Sequence, residues 1–237
     1  MATIVVFDLR GPLAHFRRPD TLGTHATYPF ITRTALRGLA ASILGLPAVP
    51  SEVRCGIRLL APVRTVVQEL TMHGKTWVAA SGRADSFHRP TAIELVVQPH
   101  YRIFYKGPLS DELSRRLKAC QSQYHTYLGS AYCLTFPAWV AEHDMAGPLV
   151  PEAGQSLRCS SVVPSSAVAR LLPDDRAEYA RVGGLLWEHI GERRFRGTTS
   201  VLYEMHGRPL TFVPALSAPD DFWEFHTVDE EDTVCLW

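Results

Sequence analysis

Four arginines, two histidines and several threonines crowd the stretch from Gly11 to Gly38, and their types suit anion binding. Gly11-Pro-Leu-Ala-His-Phe-Arg-Arg-Pro19 leads to Tyr28-Pro-Phe-Ile-Thr-Arg-Thr-Ala-Leu-Arg-Gly38. Together these segments set His15, Arg17, Arg18, Thr24, Thr32, Arg33, Thr34 and Arg37 around the start of a helix. Free backbone N–H groups and the positive dipole end favour a negative charge there. Arg33 and Arg37 lie four apart and so share one side of that helix. Phosphate is the anion this set suits best. A solvated helix face with hydroxyl caps accounts for the same residues, and the sequence leaves that choice open.

Residues 73 to 90 hold a second set. Lys75, Trp77, Arg83, Phe87, His88 and Arg89 mix cations with flat rings, the combination that holds single-stranded nucleic acid by backbone attraction and base stacking. The competing reading is an exposed loop with Trp77 tucked into the body. Arg193-Arg194-Phe195-Arg196 repeats the mixture on a smaller scale and reads rather as a salt-bridged strand edge.

Catalytic chemistry has weaker signals. A metal-independent ribonuclease needs a His, Tyr or Lys placed to move the 2′-OH proton, with cations for the phosphate. His15, Tyr28, His88, His100, Tyr124 and His125 are of the right type, but their spacing does not tie them together, so no catalytic residue is assigned. HExxH, GxSxG, a Walker loop and a dinucleotide fingerprint are all missing. The five cysteines form no CxxC pair and their number is odd, which predicts neither a metal cage nor a disulfide framework. No cofactor is expected.

The net charge of zero conceals an asymmetry. Residues 1 to 120 carry 16 Lys+Arg against 8 Asp+Glu, residues 121 to 219 carry 8 against 9, and residues 220 to 237 carry none against 7. The first half is therefore the phosphate-facing half. Only Lys75, Lys106 and Lys118 are lysines, and arginine's planar fork suits bidentate phosphate contacts. No apolar run reaches the roughly 18 residues that cross a bilayer, and the start resembles no secretory signal. A cytoplasmic protein without membrane contact is the expectation.

The elements that must position these residues follow from periodicity. Thr3 to Leu9 reads as a buried strand. A helix follows, with Leu36, Leu39, Ala40, Ile43 and Leu44 on one face, Thr32 or Thr34 as its cap and Gly45 as its stop. Val53–Pro62, Thr65–Met72, Thr91–Gln98 and Tyr101–Tyr105 read as strands, Ser110–Gln121 as a second helix and Ala131–Val140 as a further strand. Residues 73 to 90 are too long for an ordinary hairpin loop and read as a projecting or disordered insert. The order βαββαβ predicts an α+β, ferredoxin-like or RRM-like domain over residues 1–145. Residues 146–237 then form a smaller β-rich region, with strands at Leu157–Val163, Arg196–Met205 and Leu210–Pro214, a helix over Asp175–Ile190, and an acidic tail bearing Phe222, Trp223, Phe225 and Trp237.

Phe7-Asp-Leu-Arg-Gly-Pro-Leu-Ala-His-Phe-Arg-Arg-Pro19 and Tyr28 to Leu46 closely resemble the N-terminal signature of the Cas-five family, CRISPR-associated RAMP subunits of type I Cascade complexes, most like subtype I-B. His125-Thr-Tyr-Leu-Gly-Ser-Ala131 resembles a weaker second family motif. The resemblance implies a ferredoxin-like domain with a protruding β-hairpin thumb, placed at about residues 73–90. It implies a subunit that caps the 5′ handle of the crRNA, docks against the Cas-seven backbone subunit and the large subunit, and meets target DNA only indirectly, through guide pairing. The implied RNA contacts fall on His15, Arg17, Arg18, Thr32, Arg33, Thr34, Arg37, Lys75, Trp77, Arg83, His88 and Arg89. One branch of the family, subtype I-C, resembles an endoribonuclease that processes repeat RNA. Its Tyr, Lys and His set is not evident, because Lys106 and Lys118 each lack an adjoining His, so a non-catalytic role is expected. A third reading keeps RNA out and has the acidic aromatic tail dock on a basic neighbour.

Overall fold

A computed structural model of the 237-residue chain describes every residue except 1, 22, 76–85, 146, 193, 217–222 and 230–231. The chain opens with β1 (Ala2–Arg10), the short β2 (Leu13–Ala14) and α1 (Arg33–Leu44). Strands β3 (Arg54–Leu59), β4 (Thr65–Lys75), β5 (Ser86–Val97) and β6 (His100–Lys106) lead to α2 (Ser110–Lys118) and β7 (Ala138–Met145). There follow β8 (Leu157–Cys159), β9 (Val163–Pro164), β10 (Val168–Leu171), β11 (Tyr179–His189), β12 (Phe195–Glu204), β13 (Leu210–Pro214), β14 (Glu224–Asp229) and β15 (Asp232–Leu236). The fold is mixed α+β, built mostly of strands with two α-helices among the described residues. No helix among them is long and apolar enough to cross a membrane.

β1 is a central strand. It pairs antiparallel with β6 and β7, and β3 lies beyond β6, so the order is β3-β6-β1-β7. Its unbroken apolar run follows from burial on both faces. Val5, Phe7 and Leu9 join the main core with Leu36, Leu39 and Ile43 of α1 and Leu113 and Leu117 of α2. Ile4 and Val6, pointing the other way by the period of two, meet Phe104, Val228, Val234 and Leu236. The β14–β15 hairpin therefore covers the face opposite the helices. This corrects the docking tail. Phe225, Leu236 and Trp237 are buried inside their own chain, and Trp237 exchanges two backbone hydrogen bonds of 3.1 Å with Cys55.

The ends of α1 follow the sequence signals. The Thr32 side chain accepts from the Ala35 N–H, and Gly45 closes the helix in the left-handed region at φ 73. α2 stops at Lys118, short of Gln121. The strand read over Ala131–Val140 starts late, at Ala138, because Pro137 lacks a ladder donor. Ahead of it Thr126, Tyr127 and Leu128 pair back with Thr135, Leu134 and Cys133 in a short ribbon. Leu157–Val163 splits into β8 and β9.

Two further readings change. The helix over Asp175–Ile190 is the strand β11, paired with β12. A bulge explains the error: the register shifts between Val182 and Leu185, with Gly184 at φ 71. Val182 and Leu185 both turn inward three residues apart, which imitates a helical face. The insert at 73 to 90 prolongs a hairpin, since β4 and β5 pair out to Lys75 opposite Ser86; residues 76–85 lie outside the described residues. β2, β5 and β4 form a three-stranded sheet, β11, β12 and β9 another, and β10, β13, β8, β15 and β14 a five-stranded one.

Candidate nucleic-acid interface

The first turn of α1, the irregular segment before it and the β11–β12 hairpin enclose a cleft of about 460 Å³. The irregular segment is a folded-back ribbon rather than a free loop. Arg17 bridges Thr27, the Tyr28 N–H donates to the Phe16 carbonyl at 2.8 Å, and the Phe16 N–H donates to the Thr27 hydroxyl at 2.9 Å. The second motif holds this ribbon from below. His15 N–H donates to the Leu128 carbonyl at 3.1 Å, and Gly129, at φ 87, comes so close that an added Cβ would sit 2.0 Å from the His15 carbonyl oxygen. Only glycine fits there. The Tyr28 hydroxyl donates to the Gly184 carbonyl at 2.5 Å, joining the ribbon to the β11 bulge.

Of the residues picked out from sequence, His15, Arg17, Thr32, Thr34 and Arg37 line this cleft together. Arg17 is exposed and, among the described residues, its side chain donates to the Thr21 carbonyl, at 3.4 Å. Arg37 donates to the carbonyls of Val49 and Pro50 at 3.1 and 2.9 Å, pinning the loop that forms one rim. Neither has a carboxylate partner among the described residues. Several cations elsewhere in the fold do: Arg58 pairs with Asp232, Arg102 with Asp8, Arg115 and Arg116 with Glu112, and Lys118 with Glu142. The cleft thus retains positive charge that the protein does not neutralise itself. His15 adds hydrogen bonding rather than charge. Burial, with a further contribution from Arg17, lowers its pKa against the opposing effect of the Glu94 carbonyl, to which Nδ1 donates at 2.8 Å.

The other candidates are placed differently. Arg18 stands beside the cleft, paired with Asp20 at 2.8 Å and 5.8 Å from the centre of the Tyr28 ring. Arg33 needs a correction. It is 4% exposed and turns into the protein, donating to the carbonyls of Trp187 at 2.9 Å and Val53 at 3.1 Å while stacking 4.0 Å from the Trp187 ring. Burial is the main force that lowers its pKa to about 10. Arg33 is therefore a clamp between α1 and β11, not a surface phosphate ligand. Lys75, His88 and Arg89 lie on the outer β4–β5 ladder, with His73 opposite His88 and Met72 opposite Arg89. Trp77 and Arg83 lie outside the described residues.

Sequence reasoning missed the opposite wall. Pro47, Ala48 and Val49, Gly129 and Ser130, and Leu186, His189 and Phe195 complete the lining. Phe195 carried a signal through its flanking arginines, but its place in one cleft with residues more than 150 positions earlier had none. The structure also gives Lys106 a histidine in space: His226 Nε2 lies 3.3 Å from its ammonium, and Glu224 Oε1 lies 2.6 Å away. His226 is wholly buried, so this trio braces β6 against β14 rather than meeting a substrate. No group of three or more His, Cys, Asp or Glu able to hold a metal occurs among the described residues.

A strand-rich α+β chain with these N-terminal motifs falls among the CRISPR-associated proteins. It belongs to the family described as CRISPR-associated protein (Cas_Cas5), whose profile matches residues 4–158. Solved structures share the fold. A chain of a CRISPR RNA-guided surveillance complex superposes with a TM-score of 0.55 at 19% identity, over 90% of this chain and 91% of that one. A CRISPR protein from Archaeoglobus fulgidus does so with a TM-score of 0.53 at 11% identity, over 99% and 98%. No curated protein matches the chain.

Proposed function

We propose that this chain is a non-catalytic, RNA-holding subunit of a type I CRISPR Cascade complex, of subtype I-B, that grips the 5′ handle of the guide RNA. The observation that carries the reading is the convergence of Arg17, Arg37, His15, Thr32 and Thr34 on one cleft whose cations lack carboxylate partners among the described residues. Family membership supports it. The order β3-β6-β1-β7, with both helices against one face, supports a ferredoxin-like domain over residues 1–145, and the long β4–β5 hairpin supports a thumb at 73–90. Residues 146–237 serve as the β-rich companion. In this reading the subunit docks against the Cas-seven backbone subunit and the large subunit, and guide pairing meets the DNA target.

The test is binding and integrity of handle-bearing RNA in EDTA. The parent protein should bind it and leave it intact. Arg17→Ala, Arg37→Ala or Arg89→Ala should weaken binding and flatten its salt dependence, because each removes a phosphate contact. Equal binding by all three variants refutes the site. Specific cleavage, lost in His88→Ala or His125→Ala, would mark a repeat-processing endoribonuclease instead.

A further inference from the structure

We propose that the cleft takes one unstacked nucleobase, with the ring-bearing end of the β11–β12 hairpin as its stacking surface; this rests on the RNA-binding reading above. His189 and Phe195 are register partners across that hairpin, with ring centroids 5.2 Å apart at 57°. Both line the cleft, and Phe195 is 38% exposed. Among the described residues, the charges beside these rings are paired: Arg194 with Glu192 at 3.2 Å, and Arg196 with Glu188. What the hairpin end offers is a flat apolar ring.

The cleft therefore joins two chemistries. The ribbon and α1 supply Arg17 and Arg37, cations without carboxylate partners among the described residues, while the hairpin and the facing loop supply Leu186, Phe195 and Val49. A phosphate alone would need none of that apolar lining, and a groove that only tracks a backbone needs no enclosed volume. A ligand with a flat apolar ring tethered a few bonds from an anion uses both, and a nucleotide has that form. A volume of about 460 Å³ lies within the range of sites that enclose small ligands. Aromatic stacking accepts any base face, whereas the polar lining of His15, Thr32 and Ser130 can discriminate between base edges. The hairpin lies beyond residues 4–158, the span the family profile matches.

The experiment uses the full chain and short single-stranded RNAs with 2-aminopurine at each position in turn, and a parallel set with an abasic site there. One position should show quenched 2-aminopurine fluorescence, and an abasic residue at that position should weaken binding roughly 5- to 150-fold, the range for losing one base–aromatic stack. Phe195→Ala should reproduce that loss and erase the position dependence, and Phe195→Trp should restore both. The slope of log affinity against log salt should stay unchanged in Phe195→Ala and fall in Arg17→Ala. If the RNAs bind but no abasic position matters and Phe195→Ala binds like the parent, base insertion is wrong and RNA binding stands. If the parent binds none of the RNAs, both readings fall.

Discussion

Gly129→Ala tests whether the two N-terminal motifs meet as described. At φ 87 an alanine carries the cost of a left-handed backbone, about 1–2 kcal/mol. Its Cβ would also stand 2.0 Å from the His15 carbonyl oxygen and 2.9 Å from Cδ1 of Phe16. The first of these atoms is backbone, so rotating a side chain gives no relief and the ribbon must move. Moving it breaks the bond from His15 N–H to the Leu128 carbonyl, a further ~1 kcal/mol. The sum is about 2–4 kcal/mol once the Phe16 contact is included. Gly154→Ala is the control, because Gly154 has φ 78 but nothing within 4 Å of its added Cβ. It should cost only the backbone share, about 1–2 kcal/mol. Urea unfolding of the three proteins measures both values. RNA binding by Gly129→Ala should fall as well, since His15 and Arg17 move with the ribbon. Equal losses in the two variants would refute the close approach, and with it the way the cleft is built.

Three other outcomes follow from single contacts. Burial pushes the Glu224 carboxyl up, but hydrogen bonds from His226 and Lys106 outweigh it and hold its pKa at about 2, against an ordinary 4.5. A folded pKa below the unfolded one gives stability that is complete above about pH 4.5 and is lost as pH falls toward 2, roughly 3 kcal/mol in all; Glu224→Gln should lower the urea midpoint at pH 7 and flatten its acid limb. Arg33→Ala strips the donors from the Trp187 and Val53 carbonyls, so unfolding measurements should show a loss of about 2–4 kcal/mol, while the folded variant binds RNA with the parent's salt slope. Gly38→Ala adds a Cβ with nothing within 4 Å, on the helix surface, and should stabilise the protein by about 0.5–1 kcal/mol in the same assay.

The first half of the chain is more legible in its sequence than the second, and the reason is the range of the interactions. α1 is specified by its own residues: Thr32 caps it, Gly45 ends it and Leu36, Leu39, Ala40 and Ile43 keep one face. β1 shows itself through a run that only a doubly covered strand needs. β11 does not, because a glycine bulge resets its alternation, and what makes it a strand is β12, not its own pattern. The tail looked like an acidic docking segment because its charges are contiguous in sequence; folding sends Phe225 and Trp237 inward and gives Glu224 to Lys106. At the site, the polar wall was readable because it is local to Gly11–Gly38. Arg33 was misplaced because helical spacing sets an azimuth, not a neighbour, and the neighbour is Trp187. Leu186, His189 and Phe195 form a wall defined only by the fold.

The bonds from Tyr28 to Gly184 and from Arg33 to Trp187 span 156 and 154 positions of chain. On a ribosome, the cationic half of the cleft emerges long before the strand that closes it. Until residues 179–189 appear, the Arg33 guanidinium has no β11 carbonyl to bind and nothing stacks on its face. The cleft is therefore completed only late in synthesis. A half-made chain lacks that enclosure, and so does one cleaved and parted between these two segments.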